Sequence, residues 1–362
     1  MQATDDPHEA GLQPDAATIR VGGAPPPADE PLLRTVGLTR HFRLGGLFSK
    51  QVLHAVDDLD ITIREREIVA LVGESGSGKS TVARLLVRLY PATSGQIYFR
   101  GRSIYDFRSR KDVLSYRDQV PIVFQDPFSS LNPVFRVSHG VLRALKLRRP
   151  ELRRAELMGE AERVFEMVGL TPAPDMLRKF PYEMSGGQRQ RVGFAQALAG
   201  QPKLIVADEP VSMLDVSIRA GILNLMADLR RHEGVSILYI THDIASARYV
   251  ADRILVMYAG HIVETGPTEV VLARPKHPYT QLLLSAAPDP REPVSVSSSA
   301  TIGEPPRVVN PTDGCRFRAR CPIAIAVCDT TTPRLRTLGA DHEGACHVAV
   351  GDADVEAESA AR

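Results

Sequence analysis

The chain has 362 residues, 43% of them hydrophobic, enough for one large or two modest domains with a sizeable core. Its 44 Lys and Arg nearly cancel its 43 Asp and Glu, which excludes the global positive field of histone-like or strongly nucleic-acid-binding chains. No stretch approaches the roughly 20 apolar residues of a membrane-spanning helix, and the sequence opens without a secretory signal, so the expected location is the cytoplasm.

Residues 1–30 are rich in Ala, Pro, Gly and acids without apolar periodicity, and read as a disordered tail. Across residues 31–290 short apolar runs at 68–72, 122–124, 204–207 and 237–240 alternate with helical patterns, which predicts an α/β domain built on a parallel sheet. Strand signals vanish between 132 and 184. Amphipathic patterns at 139–147 and 151–168 predict a helical subdomain over about 132–199. The basic run Arg143, Lys146, Arg148, Arg149, Arg153 and Arg154 falls on these helices and reads as a solvated face rather than a nucleic-acid patch. A Pro- and Ser-rich linker follows, and residues 291–362 form that linker together with a Cys-containing extension.

Gly73-Glu74-Ser75-Gly76-Ser77-Gly78-Lys79-Ser80 fits the phosphate-binding P-loop pattern, set between a strand expected at 67–72 and a helix expected at 81–90 that opens with Thr81. The glycines let successive N–H groups curl around phosphates, and the helix N-terminus adds a favourable dipole. Lys79 can neutralise β- and γ-phosphate oxygens while the Ser80 hydroxyl ligates Mg²⁺, so the expected ligand is a nucleoside triphosphate such as ATP. Leu204-Ile205-Val206-Ala207-Asp208-Glu209 is a buried-strand pattern ending in two carboxylates. That arrangement places Asp208 beside Mg²⁺ and leaves Glu209 free to polarise a water.

Met184-Ser185-Gly186-Gly187-Gln188 opens a helix expected to run to about Ala199, and here the sequence resembles the ABC ATPase family, whose signature reads Leu-Ser-Gly-Gly-Gln. Met184 departs from it at a packing position. Small residues let this helix N-terminus come close to a γ-phosphate, and the resemblance implies that Ser185, Gly186, Gly187 and Gln188 grip the nucleotide of a partner subunit in a head-to-tail dimer. It also implies a P-loop NTPase fold with roles for further residues. Gln125 senses Mg²⁺ and couples to membrane subunits, Asp215 in Ser212-Met213-Leu214-Asp215 reaches across the dimer, His242 contacts the γ-phosphate, and Phe42 stacks on adenine.

Gln125-Asp126-Pro127-Phe128-Ser129-Ser130-Leu131-Asn132-Pro133 and Lys276-His277-Pro278-Tyr279-Thr280-Gln281-Leu282-Leu283 resemble the dipeptide, oligopeptide and nickel importers of that family. This branch implies an ATPase that drives peptide import, with nickel or oligosaccharide uptake as alternatives. The implied partners are two transmembrane permeases, a second homologous ATPase and an extracytoplasmic substrate-binding protein, with no nucleic acid and a place on the cytoplasmic face of the membrane. A soluble ABC ATPase of DNA repair is the rival. The interval from Gln125 to Gln188 has room for a helical subdomain but not for a coiled coil, and paired Cys-x-x-Cys motifs are lacking. The cysteines Cys315, Cys321, Cys328 and Cys346 all fall near the C-terminus, which suggests a metal in a reducing compartment. Gly314-Cys315-Arg316-Phe317-Arg318-Ala319-Arg320-Cys321-Pro322 resembles the tail of peptide-transporter ATPases, which implies a [4Fe–4S] cluster. Zinc is second, because no close chelating Cys pair exists. The tail is poor in apolar residues, so a metal is expected to supply part of its stability.

Overall fold

The computed structural model describes residues 31–45, 49–126, 131–286, 307–339 and 341–349. The tail expected at 1–30, most of the linker at 287–306 and residues 127–130 of the importer-like stretch lie outside these residues.

The apolar runs form β4 (Ile68–Val72), β7 (Ile122–Val123), β8 (Leu204–Asp208) and β9 (Ser236–Thr241). With β10 (Arg253–Tyr258) they make the parallel centre of an eight-stranded sheet. Beyond β10 the sheet continues antiparallel through β11 (His261–Pro267), β13 (His342–Gly344) and β12 (Arg336–Gly339), giving the order β12-β13-β11-β10-β4-β9-β8-β7. Every residue of β4, β8 and β9 is buried, as a parallel sheet covered on both faces requires.

Strand alternation divides the core in two. Ile68, Ala70 and Val72 join Ile205, Ala207, Ile237 and Tyr239 in a cluster that takes in the helices between β7 and β8. Val69 and Leu71 join Leu204, Val206, Leu238 and Ile240 against a smaller antiparallel sheet. That second sheet has the order β2-β1-β5-β6, with β3 beside β1. Its strands are β1 (Leu33–Leu44), β2 (Gln51–Leu59), β3 (Thr62–Ile63), β5 (Ser94–Phe99) and β6 (Arg102–Ser103).

Between β7 and β8 lie the helices Ser138–Arg148, Arg154–Met167, Ala173–Arg178 and Gly186–Leu198. In the basic run Arg148 pairs with Asp118 at 3.3 Å, Arg149 pairs with Glu160 at 3.3 Å, and the Lys146 amine donates to the Pro150 carbonyl at 2.9 Å. Two of the boundaries that differ from expectation lie beside the phosphate loop and Gln125. The helix after the phosphate loop spans Lys79–Leu86 and stops short of residue 90, because Arg88 takes a left-handed φ of 57°. The strand expected at 122–124 ends at Val123, which puts Gln125 two residues beyond it.

The Cys-bearing extension packs directly on this body. It contributes β12 and β13 to the main sheet, and Phe317 is buried among Tyr258, Tyr279 and His277. A tail poor in apolar residues thus has a source of order besides any metal.

The importer-like stretch at 276–283 acquires its reason here. Glu264, fully buried on β11, accepts the backbone N–H of Lys276 at 2.7 Å and of His277 at 3.0 Å, and contacts His342 Nε2 at 2.8 Å. The His277 ring then accepts the Tyr279 N–H at 3.0 Å through Nδ1, capping the helix Pro278–Ser285. Burial lowers the His277 pKa to about 4. An unfolded His titrates near 6.5, so protons favour the unfolded chain as pH falls from about 6.5 to about 4. Stability should decline through that window by on the order of 3 kcal/mol from this residue. Denaturant unfolding of wild type and His277→Asn between pH 7 and pH 4.5 tests this. An equal acid dependence in both would remove the assignment.

Candidate nucleotide site

The carboxyl ends of β7, β8, β9 and β4, neighbours in that order, deliver Gln125, Asp208 with Glu209, His242, and the loop Gly73 to Ser80 to one edge of the sheet. Ligands of parallel α/β folds bind at this edge.

Two glycines of the loop are sterically required. A Cβ at Gly73 would lie 2.2 Å from the Met257 carbonyl oxygen, and one at Gly78, where φ is +109°, would lie 2.2 Å from that of Ala55. Both obstacles are backbone. Lys79 is buried, and its amine donates to the carbonyls of Gly73 at 2.7 Å and Glu74 at 2.8 Å. Burial lowers its pKa, opposed by the nearby charges of Glu209, Asp208 and Glu74. Ser80 Oγ donates to Asp208 Oδ1 at 3.1 Å. Burial raises the Asp208 pKa, and the Ser80 hydrogen bond works against that rise. A carboxylate destabilised in this way is relieved by a divalent cation.

Glu209 sits at φ +48°, a conformation disfavoured for a residue with a side chain. Three contacts hold it there. Its N–H donates to the Ile240 carbonyl at 2.9 Å, while its own carbonyl accepts from the Ser212 N–H at 3.3 Å and the Ser212 hydroxyl at 3.1 Å. Its carboxylate meets His242 Nδ1 at 3.1 Å. Gln125 is exposed on this edge, as are Ser75 and Gly76 of the loop, and Thr81 follows Ser80 in the first turn of the helix. Phe42 on β1 packs edge-on to Tyr90 at 5.7 Å, with the Arg40 guanidinium 4.5 Å over its ring.

Ser185 caps the helix Gly186–Leu198 through a reciprocal box, in which the Gln188 N–H donates to Ser185 Oγ at 3.2 Å and the Ser185 N–H donates to Gln188 Oε1 at 3.1 Å. A Cβ at Gly187 would lie 2.3 Å from the Ile218 side chain, so glycine permits this close approach to the helix Val216–Glu233. The buried Gln190 amide donates to the Phe124 carbonyl at 3.3 Å and ties the signature helix to the strand end that carries Gln125. Ser185 and Asp215, the latter at the start of helix Val216–Glu233, are exposed.

The family described as "ABC transporter" matches residues 56–212, and "Oligopeptide/dipeptide transporter, C-terminal region" matches residues 263–328. A putative peptide import ATP-binding protein of Brucella ovis is 41% identical over 318 residues, 88% of this chain and 98% of its own length. The chain belongs to the ABC transporter ATP-binding family. A probable peptide ABC transporter ATP-binding protein of Sinorhizobium fredii is 42% identical over 88% of this ATPase and 90% of its own length. Among solved structures, a dimeric ATP-binding cassette in a post-hydrolysis state with ADP and Pi matches at a TM-score of 0.58 and 28% identity. It covers 65% of this chain and 98% of its own. A Clostridium perfringens protein that is part of an ABC transporter complex matches at 0.58 and 26%, covering 68% and 92%. Among the described residues of the ATPase no helix is long and apolar enough to cross a membrane.

No disulfide joins the four cysteines. The Cys315 N–H donates to the Cys328 carbonyl at 2.9 Å. Burial pushes the Cys315 thiol up to about 11, with contributions from Cys328, Cys321 and Cys346, and burial likewise raises Cys321, with contributions from Cys346 and Cys328. No three of their sulfurs lie mutually within 4.8 Å, the closeness a single ion asks for. Among the described residues that closeness is met by His41, His54 and Asp57. There Arg316 of the extension binds the Asp57 carboxylate, so the one negative charge already has its counter-ion. Burial alone would raise Asp57, but contacts with His261, His41, Arg316 and His54 hold it well below the usual carboxylate range. This hub joins β1, β2 and the extension, with His41 directly opposite His54 in the strand pairing.

Sequence reasoning missed three contacts at the phosphate loop. The Glu74 N–H donates to the Tyr279 hydroxyl at 2.8 Å, and the Glu74 carboxylate is held by Arg320 at 2.7 and 2.9 Å. Each joins residues more than two hundred positions apart, and local pattern carries no signal for that.

Proposed function

We propose that this ATPase energises the uptake of peptides by an ABC importer. The observation that carries the reading is the assembly of the phosphate loop, Asp208, Glu209 and His242 on one sheet edge, in a chain whose C-terminal segment matches the oligopeptide and dipeptide transporter region. Residues 73–81 cradle the phosphates of ATP, with Lys79 on the β- and γ-phosphates. Ser80, Asp208 and Gln125 hold Mg²⁺, and the Ser80 to Asp208 contact puts two of these three together. Glu209 orients and polarises the attacking water, and His242, already in contact with its carboxylate, reaches the γ-phosphate. Phe42 supports adenine.

The exposed Ser185, with Gly186, Gly187 and Gln188, serves the nucleotide of a second ATPase subunit, and Asp215 reaches the same interface. Two permeases dock beside Gln125, next to the exposed Phe124. They hold the ATPase on the cytoplasmic face of the membrane and receive substrate from an extracytoplasmic binding protein. In cells lacking this chain, uptake of a labelled oligopeptide should collapse while nickel uptake persists. Loss of nickel uptake with peptide uptake intact would overturn the peptide reading.

Cys315, Cys321, Cys328 and Cys346 would hold a [4Fe–4S] cluster, with zinc as the second choice because the sequence has no close chelating Cys pair. Bound there, the cluster would cross-link the extension and supply part of its stability. Protein purified anaerobically should carry about four irons per chain with matching sulfide. One zinc without iron would reverse the choice, and no metal would remove the site.

A further inference from the structure

We propose that Arg320 is a positioning residue for nucleotide binding: by gripping Glu74 it braces the phosphate loop, so that the Cys-bearing extension sets how tightly ATP is held. The proposal rests on reading residues 73–80 as the phosphate loop.

Glu74 is the second residue of that loop and is fixed at three points. Its carboxylate receives both arms of the Arg320 guanidinium, at 2.7 and 2.9 Å. Its N–H donates to Tyr279 at 2.8 Å, and its carbonyl accepts from Lys79 at 2.8 Å and from the Ser77 N–H at 3.2 Å. The Lys79 amine, placed to meet phosphate oxygens, is thus oriented by a carbonyl whose own residue Arg320 holds. A two-pronged Arg–carboxylate pair fixes direction as well as distance. This one is sheltered, with the Arg320 and Glu74 side chains 10% and 25% exposed, so solvent screens it less than a surface pair.

Arg320 is itself held between Tyr258 of β10 and Phe317 of the extension. Its guanidinium lies 5.6 Å from the Tyr258 ring centroid and 5.8 Å from that of Phe317, and Nη1 also reaches the Tyr258 hydroxyl at 3.4 Å. The turn that carries it is tight. The Arg318 N–H donates to the Cys315 carbonyl at 3.0 Å, that of Arg320 to Phe317 at 2.9 Å, and that of Cys321 to Arg318 at 3.1 Å. One short turn between two cysteines therefore places Phe317 in the core, Arg316 on Asp57 and Arg320 on the loop. A surface ion pair serving only the extension needs none of this convergence on a main-chain segment that binds phosphate.

The test uses the purified full chain, with mant-ATP and Mg²⁺ as the binding probe and steady-state ATP hydrolysis beside it. Arg320→Gln is expected to weaken binding and raise KM about tenfold, the scale of a coupled contact. The same variant should leave kcat within about twofold, since the loop is displaced and the chemistry is not. Glu74→Gln, changed from the other side of the pair, should give the same shift, and the double variant should be no worse than either single one. Arg320→Lys should recover part of the loss, because a point charge replaces half of a fork. Arg318→Gln, exposed on the same turn and paired with Asp329, should leave both constants unchanged. Should Arg320→Gln fail to fold, Glu74→Gln decides by the same readout. Wild-type binding and KM in the folded variants overturn the proposal, and so does an equal fall in kcat and kcat/KM. Lys79→Ala, run alongside, separates the failures. If it alone loses binding, the phosphate-loop reading stands and the brace falls, whereas normal binding in Lys79→Ala as well fells the reading itself.

Discussion

Glu209→Gln should bind ATP about as tightly as wild type and lose at least about 100-fold in kcat, the lower end of what a positioned general base contributes. The substitution keeps the size of the side chain and a hydrogen-bonding oxygen for His242, 3.1 Å away in the native protein, but removes the negative charge to which the polarising of water is assigned. The backbone at Glu209 is independently anchored by the Ile240 carbonyl and by Ser212, so the new side chain should stand where the old one stood. In the proposed site phosphate binding falls to Lys79 and the loop glycines, and the change leaves the Lys79 to Gly73 contact and the glycine backbone untouched. Equilibrium binding of mant-ATP and single-turnover hydrolysis separate the two effects. Near wild-type hydrolysis in Glu209→Gln, with Lys79→Ala inactive, would refute the role given to Glu209.

Much of the fold was legible because its determinants are local. A parallel strand covered on both faces is a near-continuous apolar run, and residues 68–72, 204–207 and 237–240 show that without periodicity arguments. The phosphate loop declares itself because backbone crowding at Gly73 and Gly78 admits glycine alone, and the signature helix because Ser185 and Gln188 cap each other across three residues. The end of the first helix was not legible. Arg88 turns it through a left-handed conformation that neither its own chemistry nor its neighbours announce. The importer-like stretch at 276–283 was visible as a pattern, yet its work became clear once Glu264, from β11, was seen to hold its backbone and Tyr279 to meet Glu74.

The extension was the least legible part, and for a physical reason. Read alone, it offers scattered apolar residues and four thiols, which suggests a fold made by a metal. Its anchors are contacts with residues far back in the chain: β13 pairs with β11, Arg316 with Asp57, Arg320 with Glu74. Composition counts what a segment contains. It cannot count what the rest of the chain offers that segment.

Phe317→Ala should show how much of that docking depends on a single ring. Phe317 is 2% exposed and stands perpendicular to Tyr258 at 5.2 Å, with Tyr279 and His277 both at 5.6 Å. Removing a buried phenyl group costs about 3–5 kcal/mol when the cavity cannot close. Closure is hindered here, because Tyr279 is held by Glu74 and His277 by Glu264. The cost falls on the contact between extension and body, so it should open the edge strands before the centre of the sheet. Amide exchange in Arg336–Gly339 and His342–Gly344 should therefore accelerate by about two orders of magnitude, while exchange in β4 and β9 stays slow. Phe317→Leu, which keeps most of the apolar volume, should accelerate it less. Unchanged exchange at β12 and β13 in Phe317→Ala would mean that the ring does not hold the extension and that its attachment rests on the arginines and the strand pairing.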